Sequence, residues 1–233
     1  MNRWLQVILQ TVIVLAVLVV LVVLPIRVLM HPRWVYFEYG RAGFPPDYYG
    51  FSPQERTQLA IVGVDSIIGP RGVVVLQEAR LPDGSPTFNE REVGHMQDVR
   101  VVTGNIYLAQ MIMLVAAAVA LFVLSRQPET RALAPLALLR GSILTLVLLA
   151  ALVVFVLVGF NTFFTTFHRV FFSGDTWTFN FTDTLIRLYP VQFWFDAATA
   201  IGVTTIAAAI ILGIVAWRWG RAAHIPSPTR GEG

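Results

Sequence analysis

Residues 12–24 read VIVLAVLVVLVVL, thirteen consecutive apolar residues without a charge, a glycine or a proline. The apolar character extends from about Leu5 to about Leu29, and a helix that crosses a bilayer needs about 20 mainly apolar residues. A secretory signal peptide has a shorter apolar segment, followed by a small-residue cleavage site. We therefore interpret residues 1–30 as an uncleaved first transmembrane helix.

Three further segments have the same character, and they lie at residues 106–124, 141–160 and 197–217. Of the 233 residues, 56% are hydrophobic and only 13% are charged, which is about half the charged share of a typical soluble protein. This composition excludes an ordinary soluble domain and a disordered chain. The sequence predicts an all-α membrane protein with four transmembrane helices.

The distribution of arginine predicts the orientation of these helices. The chain has no lysine, and the N-terminus, residues 125–140 and residues 218–233 hold seven arginines against two acidic residues. Residues 31–105 and 161–196 hold nine arginines, which twelve acidic residues offset. Short arginine-rich connections mark the cytoplasmic side. We expect both termini in the cytoplasm, residues 125–140 as a cytoplasmic loop and 218–233 as a disordered cytoplasmic tail.

The first outer segment, residues 31–105, is too long for a simple connection. Ser52–Glu55 reads SPQE, a capping-box pattern with proline at the first helical position, and it predicts a helix. The valine-rich residues 72–80 predict a strand, and Pro82–Gly84 predicts a turn. A second helix starts at Asn89 and continues towards the second span. We expect a small α+β extracellular cap.

The second outer segment, residues 161–196, is aromatic. Between Phe160 and Phe195 lie 13 of the 28 aromatic residues of the chain. Trp and Tyr prefer the headgroup level of a membrane, so we expect this segment to lie along the interface, under the cap. Two interpretations stay open, an anchoring belt and a lined cavity. The second is favoured by phenylalanines spaced to line one stretch of helix, namely Phe163, Phe164, Phe167, Phe171 and Phe172.

Two histidines lie in polar stretches beside the spans, on the same side of the membrane. A helix around His95 places Glu92 and Asp98 on adjoining turns, where a carboxylate can fix the imidazole tautomer and strengthen it as a base. Apolar rings surround His168, so desolvation lowers its pKa, and the neighbouring Arg169 can stabilise an anion. The alternative is that each histidine only ends a helix, bonded to a headgroup or to a carbonyl group.

Other chemistries find less support. The absence of cysteine excludes disulfides, thiolate ligands and a cysteine nucleophile. Ser173 has no G-x-S-x-G elbow, and His95, Asp98 and His168 lack the spacing of a typical zinc pair. A bis-histidine haem would place its ligands inside the spans, and transport would need ionisable residues there. No basic run suggests nucleic acid, and we expect neither metal nor cofactor.

The stretches around the two histidines resemble the signature of the lipoprotein intramolecular transacylase family, integral membrane proteins formerly of unknown function. The resemblance extends to the layout, with four spans, an outer segment after the first and an aromatic outer segment before the fourth. It is carried by Phe88, Asn89, Glu90, Arg91, Glu92, His95, Met96, Asp98 and Val99, and by Phe167, His168, Phe171, Phe172, Asp175, Trp177, Asp183, Leu185, Ile186 and Pro190.

This resemblance implies four transmembrane helices with an extracellular cap in a bacterial cell membrane. It implies two catalytic histidines at the junction of cap and membrane, which match His95 and His168. The implied substrate is a bacterial lipoprotein whose N-terminal cysteine carries a diacylglyceryl thioether and a free amine. The sn-2 acyl chain moves onto that amine and gives the lyso form, without an acyl-enzyme.

We expect His95 to act as general base, oriented by Glu92 or Asp98, and His168 as the acid or oxyanion partner. Nothing in the sequence excludes the opposite assignment. Asp175, Trp177 and Asp183 would shape the site or only cap and pack. The expected partners are the lipoprotein and membrane lipid, with no oligomeric state predicted. A non-enzymatic scaffold that binds a lipidated or protein partner at the membrane interface is the alternative function.

Overall fold

The computed structural model describes residues 1–223, which form two compact units. The first unit consists of Met1–Leu24, Ala109–Val153 and the chain from Gly202 onward, and the second of Pro25–Leu108 and Val154–Ile201. The described residues form nine α-helices: α1 (Arg3–Leu29), α2 (Pro32–Gly40), α3 (Pro53–Ile68), α4 (Val74–Glu78), α5 (Glu90–Arg126), α6 (Leu133–Val158), α7 (Phe160–Phe171), α8 (Thr184–Leu188) and α9 (Val191–Ala223).

Four of these helices, α1, α5, α6 and α9, are long and apolar enough to cross a membrane. Their number and order confirm the prediction of four transmembrane helices. With 37 residues, α5 is about 55 Å long, whereas the hydrocarbon core of a bilayer is about 30 Å thick. The first turns of α5, residues 90–100, carry five charged residues. They therefore suit the part of α5 that exceeds the length of one membrane span, and the span at residues 106–124 stays a prediction.

Two membrane helices extend beyond the predicted spans. α6 already begins at Leu133, so the second half of the predicted loop 125–140 is helical. The span was predicted to start after Arg140 because this residue interrupts the apolar pattern, but it does not end the helix. α9 begins directly after Pro190 and ends at Ala223, so residues 218–223 of the predicted tail are helical too. Residues 224–233, the rest of that tail, lie outside the described residues.

The core of the first unit is made of small and branched apolar side chains. Ile13, Val17, Ala120, Leu124, Ala134 and Ala137 are buried there. Gly141 on α6 lies so close to α1 that a Cβ atom would come within 2.7 Å of the Cβ of Val17. Thr205 on α9 donates from its hydroxyl group to the carbonyl oxygen of Leu21 on α1 over 3.2 Å. Small residues thus let these helices approach closely, as is typical of membrane bundles.

The prediction of an α+β cap is wrong, because the residues described form no strand. The valine-rich segment forms the short helix α4 instead, with Leu76 buried in the core of the second unit. A strand needs a partner to satisfy its backbone groups, and the only pairing described is an isolated antiparallel bridge between Arg80 and Pro86. The turn between these two residues is as predicted, with Gly84 at a positive φ of 82°.

The helices predicted for the second unit are confirmed. At the start of α3, the backbone N–H of Ser52 donates to Glu55 over 2.9 Å and the backbone N–H of Glu55 donates to the Ser52 hydroxyl oxygen over 3.2 Å. α5 runs without interruption from Glu90 into its membrane span. Side chains from six helices form the core, namely Val35, Ala60, Val64, Leu76, Met96, Leu185, Leu188 and Phe193, together with Phe88 and Tyr189.

Candidate active site

The two histidines that the sequence analysis singled out lie next to each other in the second unit. His95 is in the second turn of α5, and His168 is in the last turn of α7. The centroids of the two imidazole rings are 6.3 Å apart, and the ring planes are inclined by 27°. Proton transfer needs heavy atoms about 3 Å apart. One small reacting group between the rings can therefore contact both.

The tautomer of His168 is set by its own helix. Its Nδ1 lies 2.8 Å from the carbonyl oxygen of Phe164, one turn earlier in α7. A carbonyl oxygen only accepts hydrogen bonds, so Nδ1 carries the proton and Nε2 of the neutral ring has a free lone pair. Burial lowers the pKa of His168, although the bond to Phe164 opposes this effect. A neutral ring with an available Nε2 is the form of a proton acceptor.

His95 has a more apolar environment. The rings of Phe172 and Phe179 lie 4.9 and 5.4 Å from its ring, centroid to centroid. Burial, and to a lesser extent the proximity of His168, lower the pKa of His95 to about 4. Its Nδ1 is buried and has no hydrogen-bond partner among the described residues. This imidazole is thus neutral near pH 7, and no protein group in the described part of the chain fixes its tautomer.

Aromatic rings cover both imidazoles. Phe164 and Trp177 lie 4.1 and 4.8 Å from the His168 ring, the indole at only 29° to the imidazole plane. Phe172 contacts both histidines, at 4.9 Å from His95 and 5.7 Å from His168. We call Phe164, Phe172, Trp177 and Phe179 the aromatic box. Its arrangement favours a lined site over an anchoring belt, because these rings contact the histidines rather than only the surface.

The segment after α7 completes the aromatic box. This return loop, residues 172–183, turns back at Gly174, which has a positive φ of 62° that favours glycine. The indole N–H of Trp177 donates to the Gly174 carbonyl oxygen over 3.1 Å. Arg91 on α5 donates from Nη1 to the carbonyl oxygen of Thr178 over 3.3 Å. These bonds hold the loop where Trp177 covers one histidine and Phe179 the other.

Glu92, which the sequence predicted as a carboxylate partner of His95, binds backbone N–H groups. Glu92 is buried, and its two oxygens accept from the backbone N–H of Asn89 over 2.8 Å and of Leu185 over 2.7 Å. Burial raises the pKa of Glu92, while the two N–H donors oppose this shift. Unpaired N–H groups at a helix start attract a carboxylate, and here Glu92 serves α5 and α8 together. No hydrogen bond between Glu92 and His95 is found in the described residues.

The other predicted site residues lie around the pair rather than in it. Asp98, Arg169 and Asp175 are exposed, and within residues 1–223 none of them is hydrogen-bonded to either histidine. Asp183 accepts from the backbone N–H of Asn180 over 2.8 Å and from the side-chain amide of Asn89 over 3.4 Å, so it shapes the end of the return loop. Among the described residues, Trp177 is the one predicted supporting residue with a ring contact to a histidine.

Three residues of this site were missed by the sequence analysis in these roles. Phe179 contacts His95, Arg91 holds the return loop, and Asn89 joins the start of α5 to Asp183. Asn89 and Glu92 have the spacing of a capping box. This spacing could have predicted that Glu92 binds backbone groups. The contacts of Phe179 and Arg91 depend on how the return loop folds, and the local sequence carries no signal of that.

The described residues do not bring the donors of a metal centre together at this site. Within the described part of the chain, no group of three or more His, Asp or Glu side chains is placed to hold a metal ion. The set of His95, Asp98 and His168 considered above therefore does not come together as ligands. The chemistry that the arrangement offers is proton transfer by two neutral imidazoles in an apolar surrounding.

Known proteins resemble this chain over most of its length. The model of the family "Lipoprotein intramolecular transacylase Lit" matches residues 7–194. A protein of Aquifex aeolicus (strain VF5), described as uncharacterized, is 28% identical over 186 residues, which are 80% of this chain and 82% of that protein.

Solved structures show the same fold. The structure of the membrane integral lipoprotein intramolecular transacylase Lit from Bacillus cereus has a TM-score of 0.67 at 20% identity, and the match covers 95% of this chain and 98% of that one. Two further structures of that protein carry a histidine-to-arginine and a histidine-to-alanine mutation. Both have a TM-score of 0.62 at 19% identity, and each match covers 93% of this chain. The matches cover 92% of the arginine variant and 94% of the alanine variant.

Proposed function

Since the chain belongs to the lipoprotein intramolecular transacylase family, we propose that it moves the sn-2 acyl chain of a diacylglyceryl-cysteine lipoprotein onto the N-terminal amine of the same lipoprotein. It is a multi-pass membrane protein, and we place the two histidines on the outer face with both termini in the cytoplasm. The observation that carries the proposal is the pair of neutral imidazoles, 6.3 Å apart, inside the aromatic box.

The reaction is the aminolysis of an ester within one molecule. The amine nitrogen attacks the sn-2 carbonyl carbon and closes a ring of about eight atoms, the new C–N bond forms, and the C–O bond to the glyceryl oxygen breaks. The nitrogen must lose a proton and the leaving oxygen must gain one, so no net proton is consumed. Two imidazoles next to the reacting atoms suit these two transfers, each of which contributes about 10²- to 10⁴-fold in typical enzymes.

The hydrogen bond of His168 favours one division of roles. With Nδ1 donating to Phe164, Nε2 accepts the amine proton, and the same carbonyl oxygen then stabilises the imidazolium that forms. His95 is neutral at rest, so it must first receive, by way of His168, the proton that the amine releases. Because its pKa is lowered to about 4, the protonated His95 then gives this proton readily to the glyceryl oxygen. We therefore propose His168 as the base and His95 as the acid, the reverse of the assignment first expected from the sequence.

The aromatic box contributes in a second way. Closing a ring of about eight atoms requires several torsions of the lipid to be fixed, and well-oriented reactions gain up to roughly 7–11 kcal/mol from such positioning. Rings on several sides of the imidazoles can clamp the glyceryl group. They also limit the access of water, so that transfer to the amine outcompetes hydrolysis of the ester.

The first prediction concerns the histidine pair. We expect the full chain, incubated with a diacylated lipoprotein, to give an N-terminal peptide of unchanged total mass with an acylated amine, as read by fragment mass spectrometry. His95→Ala and His168→Ala each remove one proton-transfer group and should slow the reaction by about 10²- to 10⁴-fold.

His31→Ala is the matched control. His31 only caps α2, accepting from the backbone N–H of Arg33 over 3.1 Å, so this variant should keep its rate. An amine that stays free with the unmodified chain would contradict the proposal. If the lipoprotein binds but is not converted, and both histidine variants bind it equally well, the scaffold alternative is the better description.

A further inference from the structure

A charged residue lies within one of the apolar helices of the first unit. Arg140 is the eighth residue of α6, which begins at Leu133 and carries no other charged residue. Its side chain is exposed, and Nη1 donates to the side-chain oxygen of Gln10 on α1 over 3.1 Å. None of the ion pairs found among the described residues includes Arg140. A positive charge without an ion-pair partner, two turns into a membrane helix, is stabilised when an anion binds to it.

A groove lies directly beside this arginine. It has a volume of about 190 Å³ and is lined by residues of α1 and by Arg140 alone from α6. One part of the wall is polar, formed by Arg140, Gln10 and Thr11, and the other part is apolar, formed by Val7, Val14 and Leu15. Along α1, Val7 comes one turn before Gln10 and Thr11, and Val14 and Leu15 come one turn after them. The polar groups and the apolar turn that follows them suit a phospholipid headgroup and the start of its acyl chains.

The position along the helices fits the same boundary. Gln10 is the eighth residue of α1, as Arg140 is of α6, so each lies about 10 Å from the start of its helix. Arginine extends its guanidinium from such a position towards the polar surface, while its methylene groups stay in apolar surroundings. The guanidinium thus comes within reach of lipid phosphate groups.

The charges nearby in the sequence favour an anionic lipid over a zwitterionic one. Arg126 ends α5 and Arg131 lies in the connection to α6, against the single acidic residue Glu129 in the same stretch. A zwitterionic headgroup would bring a further positive charge into these surroundings. Basic pockets between membrane helices are typical binding sites for anionic headgroups.

We propose that the groove formed by Gln10, Thr11 and Arg140 binds the phosphate group of an anionic membrane phospholipid. Arg140 donates to the phosphate oxygens, Gln10 fixes the direction of the guanidinium, and the apolar wall contacts the first part of an acyl chain. The site lies in the first unit, contains no residue of the histidine pair, and does not depend on the proposed transacylation.

Native mass spectrometry of the full chain in detergent tests this proposal. With dioleoyl phosphatidylglycerol as the probe, we expect a single bound lipid that is retained at least fivefold better than dioleoyl phosphatidylcholine. Arg140→Gln should reduce retention of phosphatidylglycerol to the level of phosphatidylcholine. Arg218→Gln removes an exposed arginine of α9 that does not line the groove, and it should retain the lipid as well as the unmodified chain.

A second variant keeps the test decisive if Arg140→Gln does not fold. Gln10→Leu leaves the charge in place but removes the bond that directs it, and we expect retention to fall by about half or more. Equal retention in all variants would overturn the proposal, as would an equal loss in Arg140→Gln and Arg218→Gln, which would show attraction by net charge alone. Displacement of the lipid by millimolar inorganic phosphate would make the groove a simple anion site and overturn the lipid assignment.

Discussion

The carbonyl oxygen of Phe164 accepts a hydrogen bond from Nδ1 of His168, one turn later in the same helix. This bond leaves Nε2 as the nitrogen that can accept a proton, without the need for a carboxylate. A buried carboxylate beside two imidazoles would favour their protonation. The backbone carbonyl orients the ring and adds no net charge, so the pair can stay neutral at the pH at which the amine reacts.

The second prediction concerns the pH dependence of the reaction. Trp177 covers the His168 ring, and burial lowers the pKa of His168 below its ordinary value of 6.5. In Trp177→Leu this pKa should rise towards 6.5, so that near pH 6 more of the base is protonated and inactive. We expect the acid limb of the pH profile of kcat to move to higher pH, with a smaller loss of rate at pH 8.

The control for this prediction lies in the same return loop. Phe181 is exposed and has no ring contact with either histidine within the described residues, so Phe181→Leu should keep the original pH profile. The substrate amine, with a pKa of about 8, titrates identically in all three proteins and cancels in the comparison. A Trp177→Leu variant that is slower by the same factor at every pH would show that the indole acts only by packing.

Among the secondary-structure elements, α5 and α8 are joined by a single carboxylate. Glu92 accepts from backbone N–H groups at the start of each helix and is itself buried. The third prediction is that Glu92→Ala leaves these donors unsatisfied and lowers the free energy of unfolding by about 1–3 kcal/mol. Because α5 carries His95 on the next turn, we also expect kcat to fall. Thermal unfolding and the transfer assay measure the two effects.

Glu90→Ala is the matched variant for this comparison. Glu90 lies in the same first turn of α5 but is exposed, so its removal should change the free energy of unfolding by less than about 0.5 kcal/mol. Glu92→Gln restores one acceptor and should recover part of the stability. A Glu92→Ala variant as stable as Glu90→Ala would show that the two backbone contacts contribute nothing.

Elements determined by local sequence could be predicted. The four membrane helices follow from apolar length, and the start of α3 follows from the Ser52–Glu55 capping box. The prediction of a strand at residues 72–80 was wrong. Valine-rich sequence indicates a preference for extended structure, but it does not indicate whether a neighbouring strand is present to pair with it. In the folded chain, packing of Leu76 in a helical core outweighs that preference.

The candidate site could be predicted only in part, for a related reason. His95 and His168 stood out because each is a titratable residue in an unusual local setting. The spacing along α5 pointed from Glu92 to His95, but it could not predict the hydrogen bond with Leu185, which is distant in the sequence. Phe179 was missed as a contact of His95 because only the folded return loop brings it there.

At the scale of the whole molecule, α1 and α6 of the first unit approach so closely that a side chain at their contact has no room. A Cβ atom at Gly141 would lie 2.7 Å from the Cβ of Val17 and 3.1 Å from the backbone oxygen of Val14. The fourth prediction is that Gly141→Ala pushes these helices apart and lowers the unfolding temperature in detergent. The cost of such overpacking is about 1–3 kcal/mol.

Gly213→Ala is the appropriate comparison. The same construction at Gly213 gives 3.5 Å to the Cβ of Ser142, an ordinary contact distance, so this variant should unfold within a degree or two of the unmodified chain. Both substitutions add one methyl group to a glycine in a membrane helix. Equal unfolding temperatures for the two variants would contradict the tight contact.

The ring of Trp177 lies 4.8 Å from the imidazole of His168, centroid to centroid. Its fluorescence should therefore report whether a substrate is bound at the histidine pair. Tryptophan emission responds to the polarity around the ring and to quenching by a neighbouring protonated histidine. A lipid tail that enters and parts the two rings would alter the spectrum on arrival, before any bond is made. Once the other five tryptophans are replaced by phenylalanine, stopped-flow fluorescence could time substrate entry separately from chemistry, with no dye attached.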